Sequence, residues 1–171
     1  EYLMMVKLRE SAEPMTQEEF DKLLDKHYKF INSSGAGGYW KTFVTGENDI
    51  KTGIILGVYI GRKGMEGEQL KLSHKNLEKL KLENISLSYA DLVGVLCRKQ
   101  SLKQAELIGS LCTDSDFTGS DFKGADLSYA DFSRSRMINC DFRKANLTGT
   151  DMEDVNLTGS DLHGAILNGT K

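Results

Sequence analysis

The chain has 171 residues, with 22 basic and 25 acidic side chains, a formal net charge of −3, 39% hydrophobic residues and 27% charged ones. That balance belongs to a globular chain long enough to bury a core, in one domain or in a small domain joined to a second unit. It excludes a strongly basic nucleic-acid binder, and no apolar run approaches the roughly 18 residues that would span a membrane, so neither direct nucleic-acid contact nor a membrane partner is expected.

In chain order, Tyr2 to Leu8 is apolar enough for a strand or a short helix. Pro14-Met15-Thr16 then opens a helix over about residues 16–32. Thr16 with Glu19 three places on makes a capping box. Phe20, Leu23, Leu24, His27 and Ile31 share one face by helical spacing, while Glu18–Lys22 and Asp25–Lys29 are spaced as ion pairs on the others. The glycine-rich run Ser33 to Gly38 stops the helix. Two strands are predicted at about 39–44 and 54–60, with Gly46–Gly53 as the loop between them and Gly61–Gly67 as a flexible join. Residues 1–69 thus form a small α+β unit, expected to pack on whatever opens the second half and to cover its backbone edge.

From Leu72 to Leu167 every fifth residue is apolar, without a break in register. Two places before the centre, from position 90 to 165, thirteen of the sixteen residues are Ala, Ser, Thr or Cys, as at Ala90, Ala105, Ser110, Ala125, Ala130 and Ala145. Between the two usually stands Asp or Asn, as at Asp116, Asp121, Asp126, Asp131, Asp141, Asn146, Asp151, Asn156 and Asp161. Two places after the centre come Gly94, Gly109, Gly119, Gly124, Gly149, Gly159, Gly164 and Gly169, with Asn84, Asp114, Asn139 and Asp154 among the others. A helix would smear this pattern around its axis, and a straight strand would send successive centres to opposite faces. The period makes one core only if the chain turns a corner every five residues, at residues that tolerate positive φ. A fixed short period also describes stacked units that cannot bury their faces alone.

Segments such as Ala125-Asp126-Leu127-Ser128-Tyr129, Ala130-Asp131-Phe132-Ser133-Arg134 and Ala145-Asn146-Leu147-Thr148-Gly149 resemble the A-(D/N)-L-x-x motif of pentapeptide-repeat proteins. The resemblance covers residues 70–171. It implies an all-β architecture there, a right-handed quadrilateral β-helix with four pentads per coil, about five coils and a rod roughly 24 Å long at strand spacing. Residues twenty apart would then stack: Leu87, Leu107, Leu127, Leu147 and Leu167 in one inner column, and Leu82, Leu102, Phe122, Phe142 and Leu162 in another. Lys75, Leu80 and Ile85 are too large for the small position, so the first coil is expected to be atypical. The segment from Leu23 to Gly35 is similar to a lead-in of some bacterial pentapeptide-repeat proteins.

No catalytic constellation emerges. His27, His74 and His163 are far apart and none lies in metal-ligand spacing with a cysteine, so no metal or cofactor is expected. Gly35-Ala36-Gly37-Gly38 follows a helix where a phosphate loop would follow a strand. Cys97, Cys112 and Cys140 sit at inward positions and read as buried free thiols, which favours a reducing, cytoplasmic compartment. The outward carboxylates are the one feature with functional reach. Asp121, Asp141 and Asp161 should stack on one face, and Asp131 and Asp151 on another beside Asp91. Bonding of Asp and Asn to the local backbone accounts for them without any partner. The chain is read as a non-enzymatic interaction or scaffolding module, a rigid rod whose faces present polar side chains, these carboxylates among them, to an unidentified protein partner. The alternative that the resemblance implies is a DNA mimic binding a type II topoisomerase, inhibiting it or protecting it from quinolones; Lys123, Arg134, Arg136, Arg143 and Lys144 interrupt the acidic surface that mimicry would need. Ala165-Ile166-Leu167 ends the repeats without a visible cover, which predicts a homodimer through the C-terminal coil.

Overall fold

The computed structural model describes residue 9 and residues 11–33, 38–45, 54–60 and 68–171. The expected Tyr2–Leu8 element, the Gly46–Gly53 loop and the Gly61–Gly67 join lie outside the described residues, as does most of the glycine-rich run after the helix.

Helix α1 spans Gln17–Ile31. Thr16 is its N-cap: the Thr16 hydroxyl accepts the Glu19 N–H at 3.2 Å, and the Glu19 carboxylate accepts the Thr16 N–H at 3.2 Å. These reciprocal bonds satisfy two of the donors that every helix start leaves open. The buried face shares Phe20, Leu24 and His27 with the one the spacing suggests but is rolled from it. Phe20, Leu24, His27 and Phe30 are buried, whereas Leu23 is 37% exposed and Ile31 is only half-covered. The helix is rolled so that Phe30 displaces Ile31 from the interface, because α1 must also satisfy the backbone beneath it. β1 (Tyr39–Thr45) and β2 (Ile54–Ile60) form an antiparallel pair in which Tyr39 faces Ile60 and Thr45 faces Ile54.

From residue 70 onward the chain coils with a repeat of twenty residues. Parallel bridges join residues twenty apart, from Lys71 with Asp91 to Asn146 with Ile166. One pentad shows how the corner pairs its backbone N–H groups. The Asp126 N–H donates back to the Ala105 carbonyl at 2.9 Å, the Leu127 N–H forward to Asn146 at 2.9 Å, and the Tyr129 N–H forward to Thr148 at 2.8 Å. The Ala130 N–H closes onto its own centre, Leu127, at 3.1 Å. Each corner therefore costs no buried hydrogen bond. At every fifth position from His74 to Gly169, Lys79 excepted, φ is positive and lies between 53° and 75°.

The corners carry a second rule. Tyr89 lies over Gly109 and Tyr129 over Gly149, each in the coil that follows. A Cβ on Gly109 would meet the Tyr89 ring at 2.7 Å, and one on Gly149 the Tyr129 ring at 2.6 Å. Glycine is needed there for space as well as for its φ.

The core is a stack of centres. Phe122 and Phe142 lie face to face with centroids 5.2 Å apart and planes 6° apart, and Phe117 packs edge-on to Phe122 at 5.4 Å. Leu87, Leu107, Leu127 and Leu147 are fully buried, but Leu167, expected to complete that column, is 49% exposed. Leu162 is half-buried. Both stand in the coil over which no further described residue stacks. The small position explains its own chemistry. Ser115, Ser120, Ser135 and Thr150 each send a hydroxyl to the carbonyl 23 residues earlier, at 2.7–2.8 Å. The Cys140 thiol does the same to Phe117 at 3.1 Å. It acts as a serine analogue there, not only as the small hydrophobe expected.

Among the described residues no coil precedes the first, and α1 lies against it. The Leu70 N–H donates to His27 Nδ1 at 2.9 Å, the Lys81 N–H to Gln17 Oε1 at 2.9 Å and the Ser86 N–H to the Tyr28 hydroxyl at 3.5 Å. Pro14 bridges Asn76 in parallel, and the Met15 N–H donates to the Asn76 carbonyl at 2.9 Å. Lower down, the Arg9 guanidinium donates to the carbonyls of Gly94 and Asp114. Beside it Val93, Leu96, Leu111 and Thr113 are buried although they occupy outward positions of the coil.

Candidate functional site

The five expected carboxylates stack as the period requires. Asp121 bridges Asp141 and Asp141 bridges Asp161, while Asp91, Leu111, Asp131 and Asp151 form a second ladder. Every one of the five accepts, on Oδ1, the N–H two residues later. The acceptors and donors are Asp121 with Lys123, Asp131 with Ser133, Asp141 with Arg143, Asp151 with Glu153 and Asp161 with His163, all at 2.9–3.0 Å. Asn146 and Asn156 do likewise. This bond initiates the corner, which is why Asp and Asn alternate freely in the repeat.

Cations then take up much of the remaining charge. Arg143 bonds Asp141 at 2.6 Å and reaches Asp161 at 3.9 Å, Lys103 lies 3.5 Å from Asp121, and Lys171 lies 3.9 Å from Asp151. The Arg143 hydrogen bonds hold the Asp141 carboxyl below its ordinary range. Exposed pairs of this kind add little to stability, so their effect is on the field the face presents. Sequence reasoning placed Arg143 among the interrupting charges but did not pair it. The stagger of two residues within a pentad, or of 18 to 20 between coils, was the available signal.

Asp131 differs. Both of its bonds from Ser133, N–H and Oγ–H, fall on Oδ1. Burial raises its pKa, as do the charges of Asp151 and Asp114, against the lowering effect of Ser133. It lines a cleft of about 350 Å³ between the start of β1 and the corner bearing Tyr89, Gly109 and Tyr129. A wider trough of about 1000 Å³ runs along α1 beside Pro14, Met15, Leu23 and Lys75.

The three thiols are buried and unpaired. Desolvation raises Cys97 and Cys112 strongly and pushes Cys140 up to about 11, so none is a nucleophile at neutral pH. Among the described residues no group of histidine, cysteine and carboxylate side chains is arranged to hold a metal ion, and no helix is long and apolar enough to cross a membrane.

Residues 101–137 and 135–171 match the family described as Pentapeptide repeats, in eight copies. No curated protein matches the chain. Among solved structures, the chain is similar to a pentapeptide repeat protein of the cyanobacterium Cyanothece 51142. Identity is 22% over 50% of this chain and 58% of that one, with a TM-score of 0.50. A pentapeptide repeat protein from Nostoc Pcc 7120 is 26% identical over 45% of this chain and 64% of its own, with a TM-score of 0.42. QnrB1, a plasmid-mediated fluoroquinolone resistance protein, is 19% identical over 59% of this chain and 71% of its own, with a TM-score of 0.30. The chain thus spans less than two thirds of the length of the first two. The architecture shared with the first is the right-handed β-helix.

Proposed function

From the premise that residues 101–171 belong to the pentapeptide-repeat family, we propose that this chain is a non-enzymatic interaction module whose rigid faces are read by a protein partner. The observation that carries this reading is the ladder Asp121–Asp141–Asp161. Its side chains are fixed by corner hydrogen bonds, so binding would order little that is not already ordered. Asparagine keeps the corner acceptor and removes the charge. The triple variant Asp121→Asn, Asp141→Asn, Asp161→Asn should melt within a few degrees of the parent and lose most of the partner captured from source lysate. Undiminished capture would sink the role of this face. The DNA-mimic reading gains nothing from this surface, because Arg143 and Lys103 are set among the carboxylates that would imitate phosphates.

The same reading divides the chain into a capping unit, residues 1–69, and a β-helix of about five coils, residues 70–171. Support for the cap comes from the three side-chain acceptors of α1 on the first coil. Cytoplasmic residence is supported by three unpaired thiols. A homodimer through the C-terminal coil is supported by Ile166 and Leu167, 48% and 49% exposed beside half-buried Met152, Leu157 and Leu162. Light scattering should find two copies per particle, and Leu167→Lys should return it to one. A parent that is a monomer at high concentration refutes the dimer.

A further inference from the structure

The cleft between β1 and the coil is walled by four aromatic residues, Tyr39, Trp40, Tyr89 and Tyr129. Rings that merely fill a core are covered, yet Tyr39 is 62% and Tyr129 68% exposed. The walls are braced from behind. Trp40 packs edge-on to Tyr59 at 5.3 Å, Tyr59 to Tyr89 at 6.2 Å, and Phe30 of α1 to Tyr59 at 5.7 Å. The Tyr59 hydroxyl accepts the Gly38 N–H at 2.8 Å and fixes the start of β1. Gly109, which a side chain would close, keeps the floor open.

Asp131 supplies the only carboxylate among the described residues of the lining. Asp121, Asp141, Asp151 and Asp161 each have a lysine or arginine within 4 Å, and Asp131 has none among the described residues. Its pKa is raised chiefly by burial, and the nearby Asp114 and Asp151 charges act the same way. An aromatic face is the negative end of the ring quadrupole. Four aromatic rings and a carboxylate with no described cation within 4 Å line one small space, and a ring face and a carboxylate both favour positive charge.

We propose that this cleft binds an organic cation, an alkylated ammonium head either free or borne on a methylated lysine, with the aromatic faces of Tyr39, Trp40, Tyr89 and Tyr129 as its cage and Asp131 as its counter-charge. The cavity matches the small end of ligand sites, which suits such a head better than an extended peptide. A compact, weakly hydrated cation gives up less solvation here than a primary ammonium would. The site is separate from the Asp121–Asp141–Asp161 ladder, so it stands or falls without it.

The chain has a single tryptophan, and it lies in the wall, so Trp40 emission reports on the site directly. The full chain would be titrated with choline, with its uncharged tert-butyl analogue and with a trimethyllysine peptide, and saturation transfer to the methyl protons would be read by NMR in parallel. Choline or the peptide should shift Trp40 emission and show saturation transfer, with the uncharged analogue roughly tenfold weaker. Asp131→Asn keeps the Ser133 bonds and should weaken binding by about fivefold or more at an unchanged melting temperature; Tyr129→Leu keeps apolar area, loses the ring and should do the same. Tighter binding of the peptide than of choline assigns a protein-borne cation, and the reverse a free one. Equal binding of the uncharged analogue, full binding by Asp131→Asn, or no response to either cation by both readouts overturns the proposal.

Discussion

Phe122→Ala should lower the free energy of unfolding by about 4 kcal/mol. The ring is fully buried, stacked on Phe142 and edge-on to Phe117 and Phe132. Its removal forfeits transfer free energy, leaves a cavity that neighbouring coils cannot close without breaking their twenty-residue register, and loses ring contacts that contribute about 1 kcal/mol beyond area. The column supplies its own control. Leu82 and Leu102 fill the equivalent place in the preceding coils and are buried, so Phe122→Leu should cost only about a third as much. Urea unfolding followed by circular dichroism measures both. In a solenoid each coil touches only its neighbours, so the alanine variant should also broaden the transition, as the two sides of the lesion begin to melt apart. A loss below about 1 kcal/mol for the alanine variant would mean that Phe122 does not carry the core.

The second large effect is on pH. His27 is fully buried and its Nδ1 accepts the Leu70 N–H, so the imidazole is neutral with the proton on Nε2. Nε2 is itself buried without a hydrogen-bond partner of good geometry; the nearest compensation is the Ser88 backbone. Desolvation lowers the pKa from 6.5 to about 4. Between these values the unfolded chain binds a proton that the folded chain does not, so stability rises with pH there. The contribution is fully present above pH 6.5 and is lost as pH falls toward about 4, a difference of about 3 kcal/mol. Asp91 and Asp131, whose carboxyls burial raises, act in the opposite sense at the acid end. The histidine is therefore read as the difference between the parent and His27→Asn, which retains an oxygen acceptor for Leu70. The parent should lose stability from pH 6.5 to 4.5 much more steeply than the variant. Parallel curves would place the acid sensitivity elsewhere.

Much of the coil was legible because one period controls everything in it. A corner needs positive φ and a local acceptor, so glycine, asparagine and aspartate mark it, and the centres between corners have no choice but to face inward. What could not be read is what depends on contacts across elements. Phe30 takes a buried place that spacing gives to Leu23 and Ile31, with α1 held by the backbone donors of Leu70, Lys81 and Ser86, and helical spacing contains no trace of those. Leu167 belongs to the inner column by register but is exposed, because burial requires a neighbour on both sides. The stacked aspartates of Asp121, Asp141 and Asp161 were correctly placed, yet their pairing with Arg143 and Lys103 depends on side-chain reach. Tyr89 and Tyr129 sit at corner positions forty residues apart, a signal that the fivefold pattern treats as noise and that only the path of β1 turns into a cleft.

The leaning of Tyr89 over Gly109 and of Tyr129 over Gly149 has a consequence for how such a rod can change length. The backbone would accept the loss of any twenty residues, since the hydrogen-bond pattern is the same in every coil. That corner is more selective: excising residues 100–119 sets Tyr129 directly beneath Tyr89, ring against ring where a bare backbone had been. Excising residues 100–139 instead brings Gly149 under Tyr89 and restores the fit. Excising residues 120–139 alone keeps it too, since Tyr89 still lies over Gly109 and Gly149 comes next; along this edge the choice of turn, and not the number of turns, decides whether a shortened rod still fits.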